Sequence, residues 1–302
     1  MKQKLYQRIW KKRDLFLLLL IPVTWYIVFK YIPMYGVQLA FKRYNPALGI
    51  TRSPWVGLKY FKQFFHSYYF WDLLWNTLSL SLYQMLIGFP LPIFLALMVN
   101  EIHLRFFQKF VQNVTYIPHF LSTVVVVSML NLFCDPIYGI FNKFLGLLGM
   151  AAVDYMAKPG AFQTLYVFSN VWQNMGFNSI IYIAVLSSLN QDMYEAATID
   201  GCSRFKQILY ISFPELLPTI MILFVMRVGS LMNVGFEKVL LMQNPVNMSR
   251  SNIIATFVYT NGIQKGEFSY STAIGLFNSV INFILLFGAN RFSKKLTGSS
   301  LW

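Results

Sequence analysis

The side chains with the clearest chemical potential sit inside apolar stretches. Within the run 165–189, Asn170, Gln173, Asn174 and Phe177 recur at i, i+3, i+4 and i+7, the spacing of one helix face. Amides beside a flat ring can hydrogen-bond a hydroxyl-rich solute and stack on its apolar side. The same amides can instead tie helices together, as polar groups do in membrane bundles. In the run 216–236, Arg227, Ser230 and Asn233 recur at i, i+3 and i+6. Arg227 is the only basic residue near the middle of any expected helix, and charge at such depth marks a candidate site. It can bind an acidic group, or pair with a carboxylate or carbonyls for structure. His119 follows Pro118 at the head of the run 116–133, where it can face a ligand or cap the helix. Asn278 and Asn282, four apart, read as packing contacts.

Other chemistry finds little support. There is no GxxxxGK[ST] phosphate loop, no HExxH, no Ser-His-Asp set and no carboxylate pair in a plausible cleft, so no catalytic residue is assigned. Cys134 and Cys202 stand alone, without CxxC spacing or a close His, and read as packed thiols rather than a disulfide or metal site. Any nucleotide-driven step must come from partner chains.

The elements that position these residues follow from composition. Of 302 residues, 56% are hydrophobic and 12% charged, against about 25% charged in a soluble chain. Apolar runs reach the roughly 20 residues needed to cross a bilayer. Six spans are expected, at about 15–31, 74–99, 116–133, 165–189, 216–236 and 270–290: an all-α, multi-pass membrane protein. The net charge of +14 is spread over the ends of these runs, which fits topology and lipid head groups better than nucleic acid. Lys2, Lys4, Arg8, Lys11, Lys12 and Arg13 precede the first run, with no small-residue cleavage site after Leu20, so the first helix reads as a retained signal anchor. With Arg291, Lys294 and Lys295 after the last run, they place both termini in the cytoplasm. The segment 42–70, with Lys42, Arg43, Arg52, Lys59 and Lys62, then falls outside despite its charge. Residues 1–73 thus comprise a basic terminus, a helix and an external loop; 74–292 form the core, and 293–302 a cytoplasmic tail. The connections 134–164 and 237–269 read as loops with short interfacial helices.

Between the fourth and fifth spans runs Glu195-Ala196-Ala197-Thr198-Ile199-Asp200-Gly201, ending at Pro214. Residues 193–199 can form a short helix, Gly201 a sharp turn, and 205–212 a second helix stopped by Pro214. Such an element can dock into a partner's groove or merely cover helix ends.

This string closely resembles the EAA loop of ABC importer permeases: EAA, two variable residues, DG, and a Pro thirteen residues beyond the Gly. Glu195, Ala196, Ala197, Asp200, Gly201 and Pro214 all match; Cys202 stands where the family usually has Ala. The resemblance covers about 76–292 and is nearest to sugar importers of the maltose permease type. The end Ser299-Ser300-Leu301-Trp302 resembles the branch that handles complex oligosaccharides and polysaccharide fragments. The resemblance implies a type I importer fold and a coupling loop at about 192–214, with Glu195 against an ATPase subunit. It also implies a second permease forming a heterodimer, two ATPase subunits carrying ATP and Mg, an extracytoplasmic solute-binding protein, and a bacterial cell membrane. Asn170, Gln173, Asn174 and Phe177 then correspond to sugar-contacting positions, Asn170 with the identical residue type and the other three altered, which implies a different sugar. His119 falls on a binding position too, and Ser230 and Asn233 do so if one gap is allowed. An ABC permease for peptides or another solute is the nearest alternative. An ion-coupled secondary transporter lacks the buried acidic residues and related halves it would need.

Overall fold

In the computed structural model, residues 12–297 are described; the basic residues Lys2, Lys4, Arg8 and Lys11 and the segment 299–302 lie outside them. A hydrocarbon solvent obliges every backbone group to bond internally, which favours helices. Among the described residues there are only helices and one isolated bridge, Lys42 with Trp55. The chain divides into two contact-dense units, one of residues 12–67 with Val258–Phe277, the other of Tyr68–Phe257 with residues 278–297.

In the first unit, α1 (Arg13–Tyr26) continues through the π turn Ile27–Tyr31 and shorter helical turns to Phe41, a 29-residue span, and no residue from Arg13 to Met34 is buried. The connection that follows is folded around Lys42, which is 9% exposed and donates from Nζ to the carbonyls of Ile50 (2.9 Å) and Thr51 (3.3 Å). Phe41 stacks on Trp55 with centroids 5.7 Å apart. One of the five basic residues of this loop is therefore spent on capping carbonyls.

The second unit contains α2 (Phe70–Gly88) and α3 (Pro90–Asn100), which together make a 31-residue span. Next come α4 (Arg105–Tyr116), a 3-10 turn Ile117–Phe120, and α5 (Thr123–Cys134). The straight third span expected over 116–133 is overturned: these helices meet at 99°. Leu121 and Ser122 are extended, and the Ser122 hydroxyl caps α5 by accepting from Val125 N at 3.3 Å. The 29-residue α6 (Pro159–Ser187) follows, then α7 (Gln191–Ile199), α8 (Arg204–Gln207) and α9 (Phe213–Gly229). After α10 (Phe236–Met242), the chain ends in α11 (Phe268–Thr297), whose first residues belong to the first unit.

Four of the described helices are long and apolar enough to cross a membrane, five if the bent pair counts as one, so six spans do not emerge from length and composition alone. Arg13–Phe41, Phe70–Asn100, Arg204–Gly229 and Phe268–Lys295 are the four. The expected fourth span, α6, is long enough; its run of amides and hydroxyls makes it less apolar.

Two buried clusters hold α6 near its ends. Phe162, Tyr166 and Val167 pack with Leu80, Val127 and Val239, while Tyr182 and Leu186 pack with Ile93, Ala96, Leu216 and Ile220. At the middle, Gly176 lets the Thr115 carbonyl of α4 approach so closely that a Cβ would collide with it. The polar stretch of α6 is thus fixed between two apolar clamps.

Candidate functional site

Between those clamps, α6 borders two cavities of the second unit. The first, about 590 Å³, is lined by Asn170, Asn174, Phe177, Gln84 and Arg227 among others. The second, about 520 Å³, is lined by His119, Gln173, Asn233, Tyr166 and Lys238, and again by Gln84, Asn170, Asn174 and Arg227. Seven of the eight residues singled out as binding candidates therefore border these two spaces, and Asn170, Asn174 and Arg227 border both.

The polar groups are linked into a fixed array. Asn174 Nδ2 donates to Asn170 Oδ1 (2.6 Å) and to its main-chain oxygen (3.0 Å). That leaves Asn174 Oδ1 to accept from His119 Nδ1 at 2.9 Å. The His119 ring lies flat on Phe177, with centroids 3.8 Å apart and planes 7° from parallel. Gln173 Nε2 donates to the Leu121 carbonyl at 2.9 Å, holding the break between α4 and α5 against α6. Asn233 Oδ1 accepts from Asn278 and Asn282, each at 3.1 Å, and Asn282 Oδ1 in turn accepts from Met232 N.

Two expectations about the fifth span change. Its helix ends at Gly229, whose missing Cβ leaves room for Leu286, and residues 230–232 form a turn that leads into the irregular segment 233–235. Arg227 is consequently in the last turn of α9, where a cation meets the helix dipole favourably, rather than at mid-helix. Ser230 and Asn233 do not share a helical face with it. Ser230 lines neither cavity; its hydroxyl donates to the carbonyls of Met226 (3.3 Å) and Arg227 (3.2 Å).

Lys238 was not anticipated. It lies on α10, outside the four spans, and is only 5% exposed, with its Nζ buried and lacking any hydrogen-bond partner. Desolvation pushes its pKa down to about 8. Its nearest compensation is the Tyr166 ring, 5.5 Å from Nζ to centroid. Such a contact contributes about 0.5–2 kcal/mol, whereas desolvating an ammonium costs several kcal/mol. The Tyr166 hydroxyl is itself committed, accepting from Gly235 N at 3.1 Å.

The loop 192–214 is built differently. Asn190 caps α7, its Oδ1 accepting from Asp192 N, and the helix closes with Cys202 N bonding to Ala197 O (2.8 Å) and Gly201 N to Thr198 O (3.0 Å). This paired closure requires a left-handed residue between, and Gly201 has φ +74°. Pro214 does not stop the second helix as expected. The chain runs on through the π turn Ile208–Ser212 into α9, and the wider turn accommodates the N–H that Pro214 lacks. Gln207 Nε2 donates to Thr198 Oγ1 (2.9 Å), and Tyr194 and Ser212 share a hydroxyl bond at 2.9 Å, pinning α7 back on α8. Glu195, Ala196 and Asp200 are exposed, and Ala197 is half-buried. So are large apolar groups: Ile199 is 87% exposed and Phe205 73%.

Comparison with known proteins decides what this architecture is. Residues 88–298 match the family described as binding-protein-dependent transport system inner membrane component. The chain belongs to that family. Its ion-coupled alternative is thereby set aside. This permease is 41% identical over 293 residues to protein LplB of Bacillus subtilis, covering 96% of this chain and 92% of the relative. It is 38% identical over 294 residues, 97% and 92% of the two chains, to the polygalacturonan/rhamnogalacturonan transport system permease protein YteP of the same organism. Its fold matches a chain of a bacterial ABC transporter that imports the acidic polysaccharide alginate, with a TM-score of 0.90, 36% identity, and 97% and 99% of the chains covered.

For this permease, Gln84, Tyr166 and Lys238 are among the lining residues that pattern alone missed. Gln84 carried a signal, an amide inside an apolar run. Lys238 carried none, because beside Glu237 it resembles an ordinary loop charge.

Proposed function

We propose that this permease carries oligosaccharides across a bacterial cell membrane, with the array around Asn170, Asn174 and Arg227 as the solute path. The observation that carries this reading is the polar centre of α6, fixed between apolar clamps and opening to two cavities. Amides, an imidazole and a guanidinium suit hydroxyl-rich solutes, and the stacked His119–Phe177 pair offers a flat face. Relatives named for polygalacturonan and alginate transport support it. A second permease completes the translocation pathway, two ATPase subunits supply ATP and Mg chemistry, and an extracytoplasmic binding protein delivers the sugar. A related complex holds an alginate pentasaccharide-bound periplasmic protein.

In this assignment Glu195, Ala196, Ala197, Asp200 and Gly201 face the ATPase from the cytoplasm, with Ile199 and Phe205 as apolar anchors, and Pro214 sets the exit into α9. Both termini are cytoplasmic and the segment 42–70 external. Reconstituted with its partners, the permease should show ATP hydrolysis that rises with sugar-loaded binding protein and sugar accumulation that requires ATP. Accumulation without ATP would overturn the reading. Orientation is tested by thiol labelling in a Cys202→Ser background: cysteine at exposed Ser203 should react from the cytoplasm alone, and at exposed Ala47 from outside alone. Labelling of both from one side would reverse that part of the assignment.

A further inference from the structure

We infer that the second cavity seats the carboxylate of an acidic sugar residue, with Lys238 and Arg227 as its two cationic contacts. This rests on the oligosaccharide reading and adds the charge of the cargo. Both side chains border the same space of about 520 Å³. Neither has an ion-pair partner within 4.0 Å among the described residues, and Lys238 Nζ is buried with no hydrogen bond at all. A buried donor left unmade is costly, and an ammonium more so, unless a ligand completes it. The Tyr166 ring offsets only part of that cost. Glu237 also borders the cavity, yet it is exposed and forms no ion pair with Lys238, so the lining carries two cations against one carboxylate.

A lipid phosphate would satisfy the same two cations. A sugar is favoured because Asn170, Gln173, Asn174 and His119 border the same space. These groups can hydrogen-bond the hydroxyls flanking a uronate carboxylate on successive rings, a longer array than a single lipid head group offers. Lys238 and Arg227 divide the work by type: the guanidinium can take both carboxylate oxygens in its planar fork, and the ammonium acts as a point charge.

The test uses the complete transporter in proteoliposomes, with the binding protein saturated by each ligand. Uptake of tri- and tetragalacturonate is compared with uptake of their methyl esters, which remove the charge and add one methyl group at each carboxyl. Wild type should prefer the acid by about tenfold or more, and Lys238→Met should lower that acid-to-ester ratio by about threefold or more, with Arg227 retaining the rest. The binding protein's own preference is common to both proteins and cancels in the comparison. A ratio unchanged in Lys238→Met, or acid and ester carried equally by wild type, would overturn the carboxylate seat. The second of these needs no variant and stands even if Lys238→Met fails to assemble. Anionic-lipid dependence of activity without any acid-to-ester discrimination would assign the cavity to a head group instead. Failure of wild type to carry any oligosaccharide would remove the underlying function, a distinct result.

Discussion

The loop 192–214 and the cavities along α6 are both assembled from polar side chains on helices, yet their polar groups are satisfied in opposite ways. In the loop, bonds run between residues close in sequence, Tyr194 to Ser212 and Gln207 to Thr198, and the surface left over carries large apolar groups, Ile199, Phe205 and Tyr210, among its exposed charges. Around α6, bonds such as those of His119 to Asn174 and Gln173 to Leu121 join residues far apart, and what remains is charged: Lys238, buried with no hydrogen bond, and Arg227, which borders the same cavity without an ion pair. In the proposed assignment, a self-contained element with exposed apolar groups such as Ile199 offers them to a protein partner. A pre-linked polar array with spare charge needs a small polar one. In that assignment, the difference separates where work enters this permease from where its cargo passes.

The largest effect should come from the loop. Glu195→Lys reverses a charge expected to meet a partner, and such reversals at closed interfaces cost about 2–5 kcal/mol, so sugar-stimulated ATP hydrolysis should fall about a hundredfold or more. Gly201→Val should act through the backbone. Nothing lies within 4 Å of a Cβ there, so the obstacle is φ +74° alone, at about 1–2 kcal/mol, more for a β-branched side chain. Coupled hydrolysis should fall about tenfold with the protein still in the membrane. Normal coupling in both variants would break the comparison on the loop side.

Next in size is Asn170→Ala. It removes the Oδ1 that orients Asn174 Nδ2, and through Asn174 the bond to His119, so one truncation disturbs three groups. At about 1–3 kcal/mol for unmade bonds, transport should weaken about five- to a hundredfold while basal ATPase assembly is kept. Equal loss of assembly would make the array structural.

How much of this could be read from residues alone follows from the same contrast. The loop was legible because its determinants are contiguous: EAA, DG and the distant Pro lie on one segment, and the Gly conformation follows from a local closure. The face Asn170, Gln173, Asn174, Phe177 was legible because one helix carries it. Ser230 and Asn233 do not share a helical face because α9 ends at Gly229, where the close approach of Leu286, fifty-seven residues away, leaves no signal in the local pattern. The kink before α5 left only a Pro118 and a capping Ser122 as signals, too little to override an apolar run. Lys238 reaches the cavity through tertiary packing of α10, which no periodicity encodes.

Lys238 also gives the comparison a pH axis. Its folded pKa of about 8 lies below the ordinary 10.5, so burial penalises the charged form and native stability should rise as pH climbs from about 8 to about 10.5. Carboxylate binding runs the other way, since it needs the ammonium and is lost as pH rises through about 8. Arg227, Glu237, His119 and Tyr166 are the other titratable groups that line the cavity. Uptake of an oligogalacturonate should therefore drop about tenfold between about pH 7 and about pH 9, against a flat profile for its ester. Parallel profiles for acid and ester would remove Lys238 from the binding array.

The smallest effect is expected where the loop touches the rest of its unit. Arg204 Nη1 lies 3.5 Å from Glu101 Oε2, with the two side chains 64% and 24% exposed. The Arg204 guanidinium keeps most of its hydration, so the pair gains little on forming and is screened by salt, within about 0–1 kcal/mol for exposed ion pairs. The position of α7 against α8 does not depend on it, being held by Gln207 with Thr198 and by Tyr194 with Ser212. Arg204→Gln should therefore change coupled ATP hydrolysis less than about twofold, and Gln207→Leu, which breaks the hydrogen bond between the two helices, should cost more. The reverse ranking, with Arg204→Gln the more damaging and its effect vanishing at high salt, would mean that the loop is positioned by charge from outside rather than by its own bonds, and the contrast with the α6 array would fail on that point.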